Sequence, residues 1–416
     1  MIKLADILQE RGHKVKGLHW LTSILFLALF AFPLYSLKLN NVILILLCIL
    51  TLILFLIEPV PIGRTVLGNL VFIVPFIPYL IEYVIFSFNP TAHFEFEKKL
   101  FFYTAPFFIP VFIQISGFKN YRLALLIFSF SVCVLSIYTL ASLFINGIPL
   151  FNTAYDNGAF ILRDNFERIS GLHPTYYSIF ALTSACFLFL ISVSNRRWIH
   201  ILQTLFAVML IITVIFLAVR IAFLTGIVFL LIWIIKTKIK SIQKLMLIFA
   251  TIVMLILISF AVPSLKNRLS EIVWWETKTS VDNNTVSQRM NILDCSLKVF
   301  SNNMLSGTGS RNFQQELNNC YLEKCWIAGS EQHFNPHNQY LSIGINYGIV
   351  MLLIFIGCLF IIFRKIYKIQ EGKYFFIAIL LFFLSESMLE RQMGIYFFGL
   401  ISILLYNMNP IIMAKD

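Results

Sequence analysis

The sequence predicts an all-α membrane protein with about twelve transmembrane helices and one large outer loop. Of its 416 residues, 59% are hydrophobic and only 12% are charged, whereas soluble domains are about 45–50% apolar and about 25% charged. The mean hydropathy of +0.84 agrees with this comparison. Many separate segments also approach the roughly 20 apolar residues that a helix needs to cross a bilayer.

The apolar segments predict twelve spans, separated by short turns and two longer loops. The spans cover roughly 18–37, 40–57, 66–88, 100–117, 123–145, 173–192, 199–218, 221–236, 243–262, 337–363, 374–389 and 394–409. The first run is too long for a signal-peptide core and no A-x-A-like cleavage site follows it, so we assign it as a span. We therefore expect a membrane bundle at 1–262, a large loop at 263–336 and further spans at 337–416.

Lysine and arginine are distributed unequally between the two sides of this predicted bundle. With the amino terminus inside, the inner segments hold 18 of the 32 Lys and Arg residues. Basic residues collect in short cytoplasmic loops, so both termini are predicted inside and loops 146–172 and 263–336 outside. The basic residues of the inner segments account for the net charge of +12. Nucleic acid is therefore not an expected partner.

The large loop contains a predicted helical hairpin. Apolar residues at Val286, Met290, Leu293, Leu297 and Phe300 follow one another in steps of four and three, which places them on one face of a helix. The turn SGTGS at 306–310 ends this helix, and a second helix is predicted at 311–324. We expect the hairpin to lie over the bundle, on the outer surface of the membrane that the bundle crosses.

The seven cysteines show no metal-ligand spacing. Cys295, Cys320 and Cys325 fall in the large loop, where a position outside the cytoplasm would permit a disulfide. A bridge between Cys320 and Cys325 is one possibility that the sequence leaves open.

Three residues on the predicted outer side of the membrane are candidates for catalysis. Arg220 interrupts nearly forty otherwise apolar residues, and arginine suits bidentate phosphate binding, although a snorkelling arginine would give the same pattern. Arg289 borders the apolar stripe of its helix, where a structural ion pair is the alternative. His337 begins a span and, as neutral imidazole, could accept a proton, although it could also only pack there.

A second group of polar residues is predicted to bind substrate near the same outer ends. These residues are Arg168, His173, Asn338, Glu390 and Arg391. His173 opens a span beside a proline, as His337 does, and this repetition favours a shared role. Glu386, near Glu390 in SESMLERQMG, could instead belong to an ion pair that closes a helix end.

Several common catalytic patterns are missing from the sequence. It contains no G-x-x-x-x-G-K-[ST] phosphate loop and no G-x-S-x-G elbow. No His/Cys cluster has the spacing of metal ligands. We therefore expect neither a metal nor a nucleotide cofactor.

Four stretches carry a resemblance to a known family. They are RISGLHPTYYS at 168–178, VRIAFLTG at 219–226, SQRMNILDCSLKVFSNNMLSGTGSRNF at 287–313 and HFNPHNQYLSIGINYGIV at 333–350. Together with the predicted architecture, they resemble the bacterial O-antigen ligase and O-antigen polymerase-like membrane proteins. By that resemblance, Arg220, Arg289 and His337 match essential positions, while Val219 stands where the family commonly has a serine.

The resemblance implies a metal-independent, inverting glycosyltransferase of the C type in the bacterial inner membrane. Its donor would be a glycan on undecaprenyl pyrophosphate, and its acceptor a sugar of lipid A–core or another glycan, with the site facing the periplasm and the lipid bilayer around it. A ligase and a polymerase would share the donor site, so the sequence does not separate them. A transporter for lipid-linked sugar is the alternative from another class; paired halves, which transporters usually show, are absent here.

Overall fold

The computed structural model of the protein is all-helical in the residues that it describes. These are 2–61, 63–86, 88–148, 158–193, 196–237, 240–243, 245–247 and 285–413. No strand occurs in these ranges, which confirms the predicted helical class. Most of the predicted span 243–262 and parts of both long outer loops lie outside the described residues.

The described helices follow one another along the chain as sixteen α-helices joined by turns and short 3₁₀ segments. They are α1 Ile2–Leu29, α2 Leu37–Ile57, α3 Gly63–Asn69, α4 Ile77–Ile85, α5 Pro90–Ser116, α6 Tyr121–Ile145, α7 Gly158–Ser170, α8 Pro174–Leu190, α9 Arg197–Leu217, α10 Arg220–Lys236, α11 Thr285–Asn302, α12 Phe313–Glu323, α13 Ile327–Glu331, α14 Gln339–Ile366, α15 Gln370–Phe383 and α16 Gln392–Met413.

Five of these helices are long and apolar enough to cross a membrane, so the chain has the character of a multi-pass membrane protein. They are α2, α5, α6, α9 and α14. The count rises to six if Val66–Phe72 and Val74–Ile85, which meet at a bend of 45°, form one broken span. The other predicted spans in the described residues contain helices too, but the predicted count of twelve is not confirmed.

One compact unit consists of Met1–Ser131, Val350–Lys373 and Leu389–Asp416. Helix α5 is central to it and packs against α2, α3, α4 and α16. Within this unit the Lys99 ammonium, which is fully buried, donates hydrogen bonds to Glu390 Oε2 at 2.9 Å and to the carbonyl of Leu389. A buried charge needs such partners in an apolar setting, so Glu390 is held as the partner of Lys99.

The second unit consists of Val132–Ile349 and Tyr374–Met388. Its centre is α8, which packs against α9, α7 and α10 and is buried along almost its whole length. The hydroxyl groups of Ser136 and Tyr177 lie 2.5 Å apart in this interior. Because α8 is fixed on several sides, it is a rigid support for His173, the residue that precedes it.

The predicted hairpin of the large loop is present, and the predicted apolar stripe of its first helix lies on the exposed face. Met290 and Leu297 are 46% and 47% exposed, while Ile292, Cys295 and Val299 are almost fully buried. The buried residues of α11 form a cluster with residues of α12 and with Ile345 of α14. The predicted stripe thus lies on one face of α11, but the contact with α12 is made by the opposite face, which the apolar spacing did not indicate.

A disulfide joins the two hairpin helices. Cys295 of α11 is bonded to Cys320 of α12, with 5.7 Å between their Cα atoms. Cys325 is free and exposed. The considered bridge between Cys320 and Cys325 was therefore wrong: α12 presents Cys320 to the facing helix, whereas Cys325 lies beyond the end of α12 with a φ of 55°.

Helix α14 is broken at Gly348, whose φ is 77° and ψ is −177°. The chain after α11 docks against this break, and we call the paired segments 304–309 and 345–349 the glycine seam. Three backbone hydrogen bonds join them: Ile349 N to Met304 O at 2.8 Å, Thr308 N to Ile345 O at 2.8 Å, and Gly309 N to Asn346 O at 2.9 Å. These bonds pair backbone groups that the broken helix would otherwise leave open.

Candidate functional site

A cavity of about 740 Å³ lies within the second unit. Six parts of the chain line it: α7, the start of α8, the turn between α9 and α10, α11, the segment before α14, and Glu386 after α15. The lining residues are Ile161, Arg163, Asp164, Glu167, His173, Pro174, Thr175, Ala218, Val219, Arg220, Ile221, Gln288, Arg289, Ile292, Gln332, Phe334, His337 and Glu386. The three candidate catalytic residues thus share one cavity.

Glu386 joins two of these residues. It lies after the end of α15 and is only 6% exposed. Arg289 Nη2 donates to Glu386 Oε1 at 3.2 Å, and His337 Nδ1 lies 3.1 Å from Glu386 Oε2. Burial opposes ionisation of this carboxyl, but the hydrogen bond with His337 and the charges of His337, Arg289 and His173 hold its pKa below the ordinary value.

The backbone around His337 is held in place by side chains on both sides. His337 has a φ of 45°, and its backbone N–H donates to Asn335 Oδ1 at 3.0 Å. Asn338 Oδ1 accepts from Leu341 N at 3.0 Å, which caps the first turn of α14. Asn338 also donates its side-chain N–H to the carbonyl of Leu384 at 3.2 Å, so it ties this turn to the segment that carries Glu386.

Arg220 and His173 enter the cavity from two helix starts. Arg220 is the first residue of α10 and follows a tight turn in which Ala218 has a φ of 47°. His173 is the N-cap of α8, and its Nδ1 accepts from Thr175 N at 3.3 Å. Both residues line the cavity, so the guanidinium of Arg220 and the positive amino-terminal ends of α8 and α10 can stabilise an anion there.

Residues 218–356 match the model of a protein family described as O-antigen ligase. This part of the chain is similar to the O-antigen ligase family. The matched range includes Arg220, Arg289 and His337, and ends before Glu386. No curated protein sequence matches the chain. Members of the family are glycosyltransferase-like ligases and polymerases that use lipid-linked glycans in a membrane.

Not every predicted site residue lies at the cavity. Arg168 is bonded to Asn165 Oδ1 at 2.8 Å, and neither Arg168 nor Arg391 is among the residues that line the cavity. Glu390 pairs with Lys99, and Asn338 has the capping contacts given above. Of the five predicted substrate-binding residues, His173 is the one that contributes to the cavity wall.

The cavity also contains polar residues that the sequence did not single out for the site. Glu386 was considered only as part of an ion pair at a helix end, since its partners lie 49 and 97 residues away in the chain. Helix α7 adds Asp164 and Glu167 to the cavity wall. Residues 161, 164 and 167 repeat at steps of three, which is a helical-face signal that the sequence did contain.

Proposed function

We propose that the protein is a glycosyltransferase that moves a glycan from undecaprenyl pyrophosphate to a hydroxyl group of an acceptor glycan, with lipid A–core as the acceptor of the ligase form. The observation that carries this proposal is the contact of one buried carboxylate, Glu386, with both His337 and Arg289 in a cavity that Arg220 also lines. The match to the O-antigen ligase family at 218–356, which includes Arg220, Arg289 and His337, also supports it.

The two arginines are assigned to the leaving group. When the anomeric carbon separates from the lipid pyrophosphate, the electron pair of the broken C–O bond goes to the phosphate oxygen. Guanidinium groups bind phosphate oxygens through paired, charge-assisted hydrogen bonds. Arg220 and Arg289 would thus stabilise the negative charge that develops there, as preorganised electrostatic groups do. Attack from the opposite face inverts the anomeric centre.

His337 is assigned as the general base. It accepts the proton of the acceptor hydroxyl while that oxygen forms the new glycosidic bond. The contact between His337 Nδ1 and Glu386 leaves Nε2 as the ring nitrogen for the substrate, and the carboxylate stabilises the imidazolium that forms. In this role Glu386 is a positioning residue, because it acts through His337 and Arg289.

The proposed location is the periplasmic face of the bacterial inner membrane. The distribution of Lys and Arg supports it. The Cys295–Cys320 bridge supports it as well, because disulfides persist in oxidising compartments such as the periplasm. We also propose that transfer needs no metal. In the described ranges, no group of three or more His, Cys, Asp and Glu residues is arranged to hold one.

A polymerase that adds the growing glycan to a new lipid-linked repeat unit is the second candidate. The family match supports ligases and polymerases alike, and the proposed chemistry at the donor is the same for both. A deletion strain separates them. Loss of all capped lipopolysaccharide with long lipid-linked chains retained supports the ligase, whereas lipopolysaccharide capped with a single repeat supports the polymerase.

The proposed chemistry predicts that His337→Ala abolishes transfer while donor binding persists, because both arginines remain. Loss of a general base costs about 10²–10⁴ in rate. The measurement is transfer from purified lipid-linked glycan by purified protein. His333→Ala is the matched control, because His333 is an exposed histidine bonded to Asn318 at 2.8 Å outside the cavity. Wild-type turnover in His337→Ala would exclude the base, and loss of activity in EDTA that Mg²⁺ restores would exclude the metal-free mechanism.

A further inference from the structure

We propose that Gly307 and Gly348 are positioning residues for the transfer reaction: through the glycine seam they fix the helix that carries Arg289 against the helix that follows His337. Neither glycine lines the cavity, so each acts through other residues. The inference rests on the proposed function for its effect on rate, and on the contacts of the second unit for its geometry.

The seam is a contact between main chains that leaves no room for a side chain. A Cβ atom on Gly348 would lie 2.2 Å from the carbonyl oxygen of Leu305. A Cβ atom on Gly307 would lie 2.3 Å from the carbonyl oxygen of Asn346. Both glycines also have a positive φ, 70° for Gly307 and 77° for Gly348, which side-chain-bearing residues rarely adopt.

The seam and the site lie at opposite ends of the same two helical segments. Arg289 precedes the end of α11 by about 20 Å of helix, and the part of α14 before Gly348 is about 14 Å long, at 1.5 Å per residue. At the far end the seam joins these segments. At the near end Glu386 joins Arg289 to His337.

The space between the two ends is packed, so the segments move together. Ile292, Cys295 and Val299 of α11 belong to the same buried cluster as Ile345 of α14. Close-packed interiors transmit a displacement instead of absorbing it. A methyl group at the seam must push the two main chains apart by about 1 Å to reach an ordinary van der Waals contact. A misplacement of about 1 Å at the reacting groups can lower the rate about 10²-fold.

The experiment compares Gly348→Ala and Gly307→Ala with Gly357→Ala in the full-length protein. Gly357 is a matched control, because it lies in the same helix beyond the break and a Cβ there meets nothing within 4 Å. The amount of inserted protein and the state of the Cys295–Cys320 bridge are measured for each variant. We expect kcat to fall about 10²-fold in the two seam variants, with a much smaller change in the donor KM and wild-type values for Gly357→Ala.

A readout that needs no substrate separates this inference from the proposed function. Diethyl pyrocarbonate modifies accessible histidine rings. Mass spectrometry of the peptide that contains His337 gives the rate at which this histidine is modified. We expect this rate to change in the seam variants and to stay unchanged in Gly357→Ala. Thr308→Val is a milder variant for the case in which the alanine variants do not fold. It removes only the hydroxyl group, which lies 3.2 Å from the carbonyl of Ile345 and 3.2 Å from that of Gly309.

Each outcome bears on one of the two proposals. Seam variants that are inserted normally and keep wild-type kcat and His337 reactivity would overturn the inference. A smaller amount of protein with unchanged kcat per folded molecule would also overturn it, because the glycines would then serve stability alone. If the wild-type protein catalyses no transfer but His337 reactivity responds to the seam, the proposed function fails and the positioning role stands. Thr308→Val with unchanged kcat and unchanged His337 reactivity counts against the inference.

Discussion

A single carboxylate determines how the charges of the cavity are arranged. Glu386 is 6% exposed, and each of its two oxygens contacts a different cavity residue. A buried carboxylate that kept only one of these partners would be costly. Arg289 is half-exposed, so its guanidinium, which has five N–H donors, can bind Glu386 and still present donors to a phosphate group.

Replacement of Glu386 by glutamine tests this arrangement through its pH dependence. Because the pKa of Glu386 is lowered in the folded protein, its stabilising contribution is complete above the ordinary carboxyl pKa and is lost as pH falls through the lowered value. At pH 7 we expect the glutamine variant to be less stable by about 1.5–3 kcal/mol, the usual contribution of hydrogen bonds to charged groups. The difference in Tm should shrink progressively as the pH is lowered below the ordinary carboxyl range.

The same variant should lose transfer activity. A glutamine side chain cannot stabilise an imidazolium at His337 by charge, so we expect the rate to fall by a large part of the about 10²–10⁴ that a general base supplies. Glu323→Gln is the control, since Glu323 is an exposed acid whose salt bridge to Lys298, at 2.6 Å, lies outside the cavity. Equal activity of the two variants would remove Glu386 from the mechanism.

The sequence predicted the candidate catalytic residues of the cavity better than their partners. Arg220 interrupts a long apolar run, Arg289 borders an apolar helical stripe and His337 begins an apolar span, and each of these patterns is visible locally. Glu386 was missed as a site residue because its role depends on residues that the fold brings from 49 and 97 positions away. No local pattern distinguishes it from Glu390, whose partner is Lys99.

At the scale of elements, packing against α12 in the hairpin supports α11, the helix that carries Arg289. Its core is small, and the Cys295–Cys320 bridge crosses it. A disulfide in a small structure commonly adds about 2–4 kcal/mol of stability. The exposed row of Met290, Leu293 and Leu297 cannot supply this support, because it faces away from the cluster.

Removal of the bridge should therefore weaken the hairpin and the site together. We expect the double variant Cys295→Ser with Cys320→Ser to be less stable by about 2–4 kcal/mol and to show faster proteolysis in the turn after α11. Transfer activity should fall as well, since Arg289 is on the loosened helix. Cys325→Ser, which removes an exposed free thiol, should match the wild type in both measurements. A double variant as resistant to protease as the wild type would contradict a supporting role for the bridge.

At the scale of the whole molecule, apolar surface is exposed on many helices. Leu56 is 73% exposed, Leu205 is 60% exposed and Ile235 is 65% exposed. In water, contiguous apolar surface promotes association, whereas in a bilayer it contacts lipid. Composition alone predicted that the chain is a membrane protein, because this class of protein is recognised by local hydropathy. Counting apolar runs could not establish the number of spans. One predicted span is bent near Ile73, and the apolar helices Lys16–Leu29, Pro174–Leu190 and Gln392–Met408 have only 10–17 residues.

The predicted orientation can be tested within one unit. Helix α8 is about 25 Å long at 1.5 Å per residue, with His173 at its start and the exposed Val193 just beyond its end. If the cavity faces the periplasm, native Cys325 should react with a membrane-impermeant maleimide added to spheroplasts. A cysteine introduced by Val193→Cys in a Cys325→Ser background should react only after the membrane is opened. The reverse pattern would place the cavity on the cytoplasmic side.

The cavity is assembled from residues that are far apart in the order of synthesis. Its first wall, α7, is made long before Glu386, which lies near the carboxyl end of the chain. At about 5–20 residues per second, tens of seconds separate the two. During that interval the nascent chain already has Arg220 and His173 but not the carboxylate that joins Arg289 to His337. A ribosome-bound chain at this stage therefore has the proposed anion-binding groups without the carboxylate that completes the proposed site.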